Sequence, residues 1–140
     1  MDNIKGIRSF FENDAFAKYL GVELVEVSKG KAKAKLNIRP EHLNSIHMVH
    51  GGVISALADI VFAVASNSYG TIALGINENI SYVKAATGGT LFAVAEEVSL
   101  NPKLATYDVS ITEEDGDTIA VFHGTVYKKK EKYDLKFDRR

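Results

Sequence analysis

The sequence contains no cysteine in 140 residues. Disulfides, thiolate metal sites and a cysteine nucleophile are therefore excluded. Net charge is nearly absent as well, since 17 Lys and Arg against 18 Asp and Glu leave −1 at pH 7. A protein that held nucleic acid or an anionic membrane by bulk charge would need a basic excess. Neither partner is expected. No apolar run is long enough to span a bilayer: the longest, 53–65, is interrupted by Asp59, and a spanning helix needs about 20 residues. Asp2, with no apolar stretch after it, argues against a secretory signal. Repeats and low-complexity linkers are missing. What remains is a chain with 46% hydrophobic and 25% charged residues, a globular composition. The expectation is a single domain over 1–140, with an N-terminal helical segment at 1–20 and a charged tail at 129–140. Cytoplasm is the expected compartment.

Ile7, Phe10, Phe11, Phe16, Tyr19 and Leu20 recur at roughly helical spacing. Asn13-Asp14 divides this segment, with Asp14 placed to cap a second short helix, and Gly21 ends it. Strands are expected at 22–27 and 31–38. In the second, Ala32, Ala34, Leu36 and Ile38 alternate with polar residues up to Pro40, the pattern of a strand with one wet face. Residues 41–52 read as a loop. Residues 52–68 read as a helix that is apolar or small on every side, which has to be surrounded by protein. Strands follow at about 71–84, 90–100, 103–113 and 117–128, the last almost continuously apolar, as a central strand is. One helix with about six strands suggests a curved antiparallel sheet wrapped around it, an α+β architecture. Such a sheet covers only part of the helix, so a second copy is expected to cover the rest. The alternation of Tyr133, Leu135 and Phe137 with charged residues fits either a solvated end or a strand extension.

Asp59 lies in the middle of this apolar helix. Burying an unpaired carboxylate costs several kcal/mol. Such a group is either hydrogen-bonded at an interface or tuned to act as base or nucleophile. His50-Gly51-Gly52 precedes the helix. The first N–H groups of a helix lack internal partners and carry partial positive charge, so this end suits an oxyanion. Gly51 and Asp59 are eight residues apart, about 12 Å along a helix at 1.5 Å per residue. Both would have to stand about 3 Å from one reacting carbonyl. One helix cannot supply both, whereas two helices from two chains can.

The run Asn44-Ser45-Ile46-His47-Met48-Val49-His50-Gly51-Gly52, followed by Leu57-Ala58-Asp59, resembles the hotdog-fold acyl-CoA thioesterases, in particular the phenylacetate-degradation (PaaI) branch. The similarity extends through 10–24, 62–70, 80–91 and 103–111, and so through most of the chain to about 128. The resemblance implies the hotdog fold and hydrolysis of an acyl-CoA to free acid and CoA. By that resemblance Gly51 N–H would hold the thioester oxygen. Asp59 of the partner chain would attack the carbonyl or activate water, and Asn44 and His50 would orient the thioester or the water. Gly52 and Lys84 are the candidates for binding the substrate. The family implies a homodimer at least, commonly a homotetramer, with no metal and no bound organic cofactor.

Some positions depart from the pattern. His47 stands where many relatives have glycine. The stretch Ala73-Leu74-Gly75-Ile76 offers none of the Ser or Thr that relatives use to position water, leaving Asn77 or Asn79 as substitutes. Lys84 and Ala85 replace a common Arg and Pro. A zinc site from His42, His47 and His50 is conceivable but short of acidic partners, and His123 reads as structural. The alternatives to a thioesterase are a non-catalytic acyl-CoA-binding module and a hydratase on the same fold. The intact Asp59 beside His-Gly-Gly argues against the first. No His/Asp pair placed for proton transfer to carbon supports the second.

Overall fold

The computed structural model describes residues 3–133. Two short helices open the chain, α1 (Asn3–Phe11) and α2 (Ala15–Leu20). Asp14 caps α2 by accepting from Ala17 N–H at 2.9 Å, and Gly21 closes it in the left-handed region at φ 92°. Strands β1 (Glu23–Ser28) and β2 (Lys31–Asn37) follow, then a 3-10 turn at Pro40–His42 and helix α3 (Gly51–Ser66). Strands β3 (Thr71–Tyr82), β4 (Thr90–Leu100), β5 (Leu104–Glu113) and β6 (Thr118–Lys132) complete the chain.

All strand pairs are antiparallel, in the order β1-β2-β4-β5-β6-β3. The sheet curves around α3. The residues expected to face inward do so: Ala32, Ala34 and Leu36 of β2, and Tyr107, Val109 and Ile111 of β5, are buried. Beneath the helix the floor is made of alanine, with Ala32 opposite Ala95 and Ala34 opposite Ala93. Small side chains there let the backbone of α3 come close to the sheet. Chain order explains the topology. After β2 the chain crosses the concave face as α3 and descends as β3 at the far edge, so β3 pairs only with β6. Among the described residues its outer edge is unpaired, and the strand carries exposed Leu74 and Ile76, a feature that folded chains normally cover.

As anticipated, helix α3 is not enclosed on all sides within one chain. Its buried face includes Ile54, Leu57, Ala58, Val61, Phe62 and Ala65, but Gly52, Asp59 and Ala63 are exposed, with Ser55 and Ala56 half-buried between them. These positions recur at three and four residues, one stripe of a 3.6-residue repeat. Asp59 lies on that stripe, so in the single chain it faces solvent rather than the core. The carboxylate is spared burial because the sheet reaches only the opposite side. The segment expected as a charged tail from 129 begins instead as strand: β6 runs to Lys132, with Lys128 opposite Ala73 and Lys132 opposite Thr71. Tyr133 then stacks on Phe10 at 4.4 Å between ring centroids. The alternation at Leu135 and Phe137 lies outside the described residues.

Candidate active site

His50 is the N-cap of α3. Its Nδ1 accepts from Gly52 N–H at 3.0 Å, and its carbonyl accepts from Val53 and Ile54. The cap therefore consumes the Gly52 N–H. Among the described residues Gly51 N–H has no acceptor. One open donor is left at the tip of a 16-residue helix, where the helix dipole favours negative charge. Tyr82, which the sequence did not flag, covers this tip. Its hydroxyl donates to Gly51 carbonyl at 3.2 Å, and its ring passes 3.5 Å from where a Gly51 side chain would begin.

The loop before the helix is held by Asn44. Its Oδ1 accepts from Ile46 N–H at 3.0 Å and Met48 N–H at 3.1 Å, so this side chain orders the turn leading to His50. His47 sits in that turn at φ 61°. Only glycine enters this region freely, so His47 holds a strained conformation in this turn. His42 belongs to no metal site. It is 2% exposed, its Nε2 donates to Leu20 carbonyl at 2.9 Å and its Nδ1 accepts from Arg39 N–H at 3.0 Å. Both ring nitrogens are occupied by the fold, so the three-histidine arrangement cannot form.

The second centre lies farther along α3. The Asp59 carboxyl lies within interaction reach of Glu78 on β3. Hydrogen bonding to Asp59, partial burial and the repulsion of its charge raise the Glu78 carboxyl from its ordinary value to about 7. Glu78 reaches the helix because of an irregularity in β3. The register shifts between Gly75 and Asn77, so that Gly75 faces Val126 and Glu78 faces Gly124. Without the extra residue, Gly75 and Glu78 would point to opposite faces, as residues three apart do on a regular strand. The bulge places both on the concave side. Glu78 Oε2 would lie 3.3 Å from a Cβ at Gly75, so a side chain there would crowd the carboxyl. Three contacts thus run along β3 and α3: Tyr82 at Gly51, Glu78 at Asp59, and Gly75 at Phe62. The two asparagines considered for water positioning are turned away, since Asn77 pairs with Thr125 and Asn79 with His123 on the outer face.

The remaining candidates lie elsewhere. Lys84 Nζ rests 2.7 Å from Asp117 and 2.8 Å from Glu113. These carboxylates hold its ammonium well above the usual lysine range. Glu113, Asp115 and Asp117 are the one group among the described residues close enough to share a cation, and Lys84 already neutralises two of them. His123 Nδ1 lies 2.6 Å from Asp108 Oδ1, with both side chains exposed on the outer face. Two open hollows of about 570 and 650 Å³ also lie outside the α3 face, the first beside His123 and Asp108, the second beside Arg8 and Lys31. Neither is lined by a residue of α3. The chemistry-bearing groups of α3 instead lie on its exposed side.

Residues 47–120, which contain the capped helix tip, Asp59 and Glu78, match the family model described as Thioesterase superfamily. The chain belongs to the thioesterase superfamily. This thioesterase-superfamily chain is 41% identical over 124 residues to an Archaeoglobus fulgidus protein whose name goes no further than an esterase, covering 88% of this chain and 80% of that one. It is 31% identical over 121 residues to the acyl-coenzyme A thioesterase PaaI of Escherichia coli, covering 86% of each. The solved structure of the E. coli PaaI protein superposes with a TM-score of 0.90 at 29% identity, over 94% of this chain and 96% of that one. A variant of the phenylacetic acid degradation protein PaaI from Thermus thermophilus superposes at 0.80 and 35% identity, over 83% and 100%. The hotdog architecture expected from the sequence is therefore the one observed.

Proposed function

We propose that this protein hydrolyses an acyl-CoA thioester to the free acid and CoA. The supporting observation is the division of labour on α3. Among the described residues the N–H of Gly51 is unpaired, and a carboxylate stands on the exposed stripe at Asp59, about 12 Å away by helix rise. Two copies packed stripe to stripe in antiparallel fashion would bring each Gly51 to the other's Asp59. The exposed small residues of the stripe and the unpaired, apolar edge of β3 favour such a homodimer, and a homotetramer can be built from it. Among the described residues no helix is long and apolar enough to cross a membrane, and cytoplasm is the compartment we propose.

In this reading the thioester carbonyl oxygen accepts from Gly51 N–H, which stabilises the negative charge that develops on it. Losing one such donor costs about 10²–10³ in turnover. Asp59 of the partner subunit adds to the carbonyl carbon, or takes a proton from a water that does. The carbon–sulfur bond breaks, CoA leaves as thiolate and is protonated, and water supplies the oxygen of the free acid. Asn44 and His50 act by fixing the loop and the cap that aim Gly51 N–H. Gly52 would border the substrate. Lys84 would meet a CoA phosphate only by exchanging one of its present carboxylate partners.

The test is complementation between two inactive chains. Asp59→Asn removes the carboxylate. Gly51→Pro removes the N–H at a position where helices accept proline, and His50 at φ −60° and ψ 134° already has the conformation required before proline. Each variant alone should lose about 10²-fold or more in turnover. Mixed after co-refolding, they should regain one working site per heterodimer. A heterodimer without activity would refute the two-chain site. A single-turnover reaction in H₂¹⁸O then tests the nucleophile role: isotope in the Asp59 carboxylate shows a mixed anhydride opened by water at the aspartyl carbonyl, whereas isotope in the acid product alone fits a base or an anhydride opened at the acyl carbonyl.

A further inference from the structure

We propose that Glu78 is a positioning residue of this site, its protonated carboxyl donating a hydrogen bond to Asp59 and holding that carboxylate in place on the open face of α3. The proposal rests on the thioesterase reading for its consequence, and on the geometry of β3 for its existence. Four features converge. The register shift after Gly75 turns Glu78 toward the helix. The missing side chain at Gly75 leaves room for the Glu78 carboxyl, whose Oε2 a Cβ at 75 would crowd at 3.3 Å. Gly124 stands directly across from Glu78, so no side chain from β6 competes for the space. The Glu78 carboxyl lies on the α3 side of the sheet, beside Phe62 and within interaction reach of Asp59.

Two carboxylates cannot share a hydrogen bond unless one holds a proton. Glu78 is the member whose proton is retained, up to about pH 7. The groups facing Glu78 leave Asp59 as the cause. From α3 comes Asp59, and beside it the apolar Phe62; from β6 comes Gly124; from β3 itself comes Gly75. Among the described residues no other charged group acts on Glu78. A second copy covering the stripe would exclude more water from the pair and favour the protonated form further. Below about pH 7 Asp59 therefore has one donor that fixes its direction. Above it the donor is lost and two like charges face each other.

Positioning of this kind shows in kcat more than in KM, because a reacting group displaced by about 1 Å can cost on the order of 10²-fold. Glu78→Gln keeps a donor in the amide group but cannot titrate, and Glu78→Ala removes the donor. For wild type we expect kcat to fall above about pH 7. Glu78→Gln should stay within about threefold of wild type at pH 6 and lose that limb of the profile. Glu78→Ala should lose roughly tenfold or more in kcat at nearly unchanged KM. The readout independent of turnover is the titration of ¹³C-labelled glutamate carboxyls. One resonance should titrate near pH 7, move toward the ordinary carboxyl range in Asp59→Asn, and vanish in Glu78→Gln.

Absence of a high-titrating glutamate overturns the proposal. So does a Glu78→Ala enzyme with wild-type kcat and pH profile. A Glu78→Gln enzyme as inactive as Asp59→Asn at every pH also overturns it, because Glu78 would then be a reacting group itself. Titration as expected with no cleavage of any acyl-CoA overturns the reaction and leaves the carboxyl pair standing. Cleavage without the titration does the reverse.

Discussion

Gly124→Ala isolates the packing that supports the carboxyl pair. A Cβ at position 124 would stand 2.7 Å from Phe62 Cζ, 2.8 Å from Phe62 Cε1 and 3.0 Å from Phe122 Cε1. Carbon atoms in contact settle about 3.5–4.0 Å apart, so a ring has to retreat by about 0.8 Å or more. Phe62 has nowhere to go. It is 1% exposed, and its ring centroid lies 5.3 Å from Phe122 and 5.8 Å from Tyr107. Overpacking at such a site costs about 1–3 kcal/mol. Against this, replacing a strand glycine by alanine recovers about 0.5–1 kcal/mol of backbone entropy. The expected net loss is about 1 kcal/mol. Urea unfolding at one fixed protein concentration measures it, since an oligomer's apparent stability depends on concentration. Gly88→Ala is the control. Nothing lies within 4 Å of a Cβ there, and it should gain about 0.4–1 kcal/mol. Adding Phe62→Leu should relieve Gly124→Ala, with a coupling of about 1 kcal/mol in the double-mutant cycle. Because Gly124 lies across from Glu78, turnover should fall along with stability. A Gly124→Ala protein as stable as the parent would refute the argument.

His47→Gly should raise the melting temperature. The left-handed conformation of His47 costs about 1–2 kcal/mol for a residue with a side chain, more than the entropy glycine brings, and a lower melting temperature would contradict this. His42→Ala should cost about 1–3 kcal/mol in denaturant unfolding, because Leu20 carbonyl and Arg39 N–H lose their partner in a buried place; an unchanged midpoint would show that water replaces the ring. Stability should decline as pH rises from about 4.5 to 7. Glu78 binds its proton more tightly folded than unfolded, so its contribution is complete at the acid end of that window and lost as pH passes the folded value. Thermal melts of Glu78→Gln should lack that component, and an identical pH slope would exclude it. Asp117→Asn releases Lys84 from one of its two carboxylates and should lower KM for an acyl-CoA while leaving KM for the matching pantetheine thioester alone; no difference between the two substrates would remove Lys84 from the substrate site.

What the sequence by itself determined was the set of features with short-range causes. The Asp14 cap and Gly21 stop of α2 depend on hydrogen bonds within a few residues. The alternation of Ala32, Ala34 and Leu36 follows from the two-residue period of a strand, and His50-Gly51-Gly52 marks a helix start because capping is local. Family membership was also legible, since the spacing from Asn44 to Asp59 is a linear pattern. Tertiary structure decided the rest. Whether Asp59 is covered depends on which side of α3 the sheet reaches, and every residue of that helix looks alike to a hydropathy count. Glu78 was invisible because a one-residue register shift against β6 reverses the face to which it points. His42 resembled a free ligand until the fold brought Leu20 carbonyl, twenty-two positions away, to its Nε2. Period and spacing are properties of neighbours along the chain. Register, facing and proton sharing are set by partners that only folding brings together.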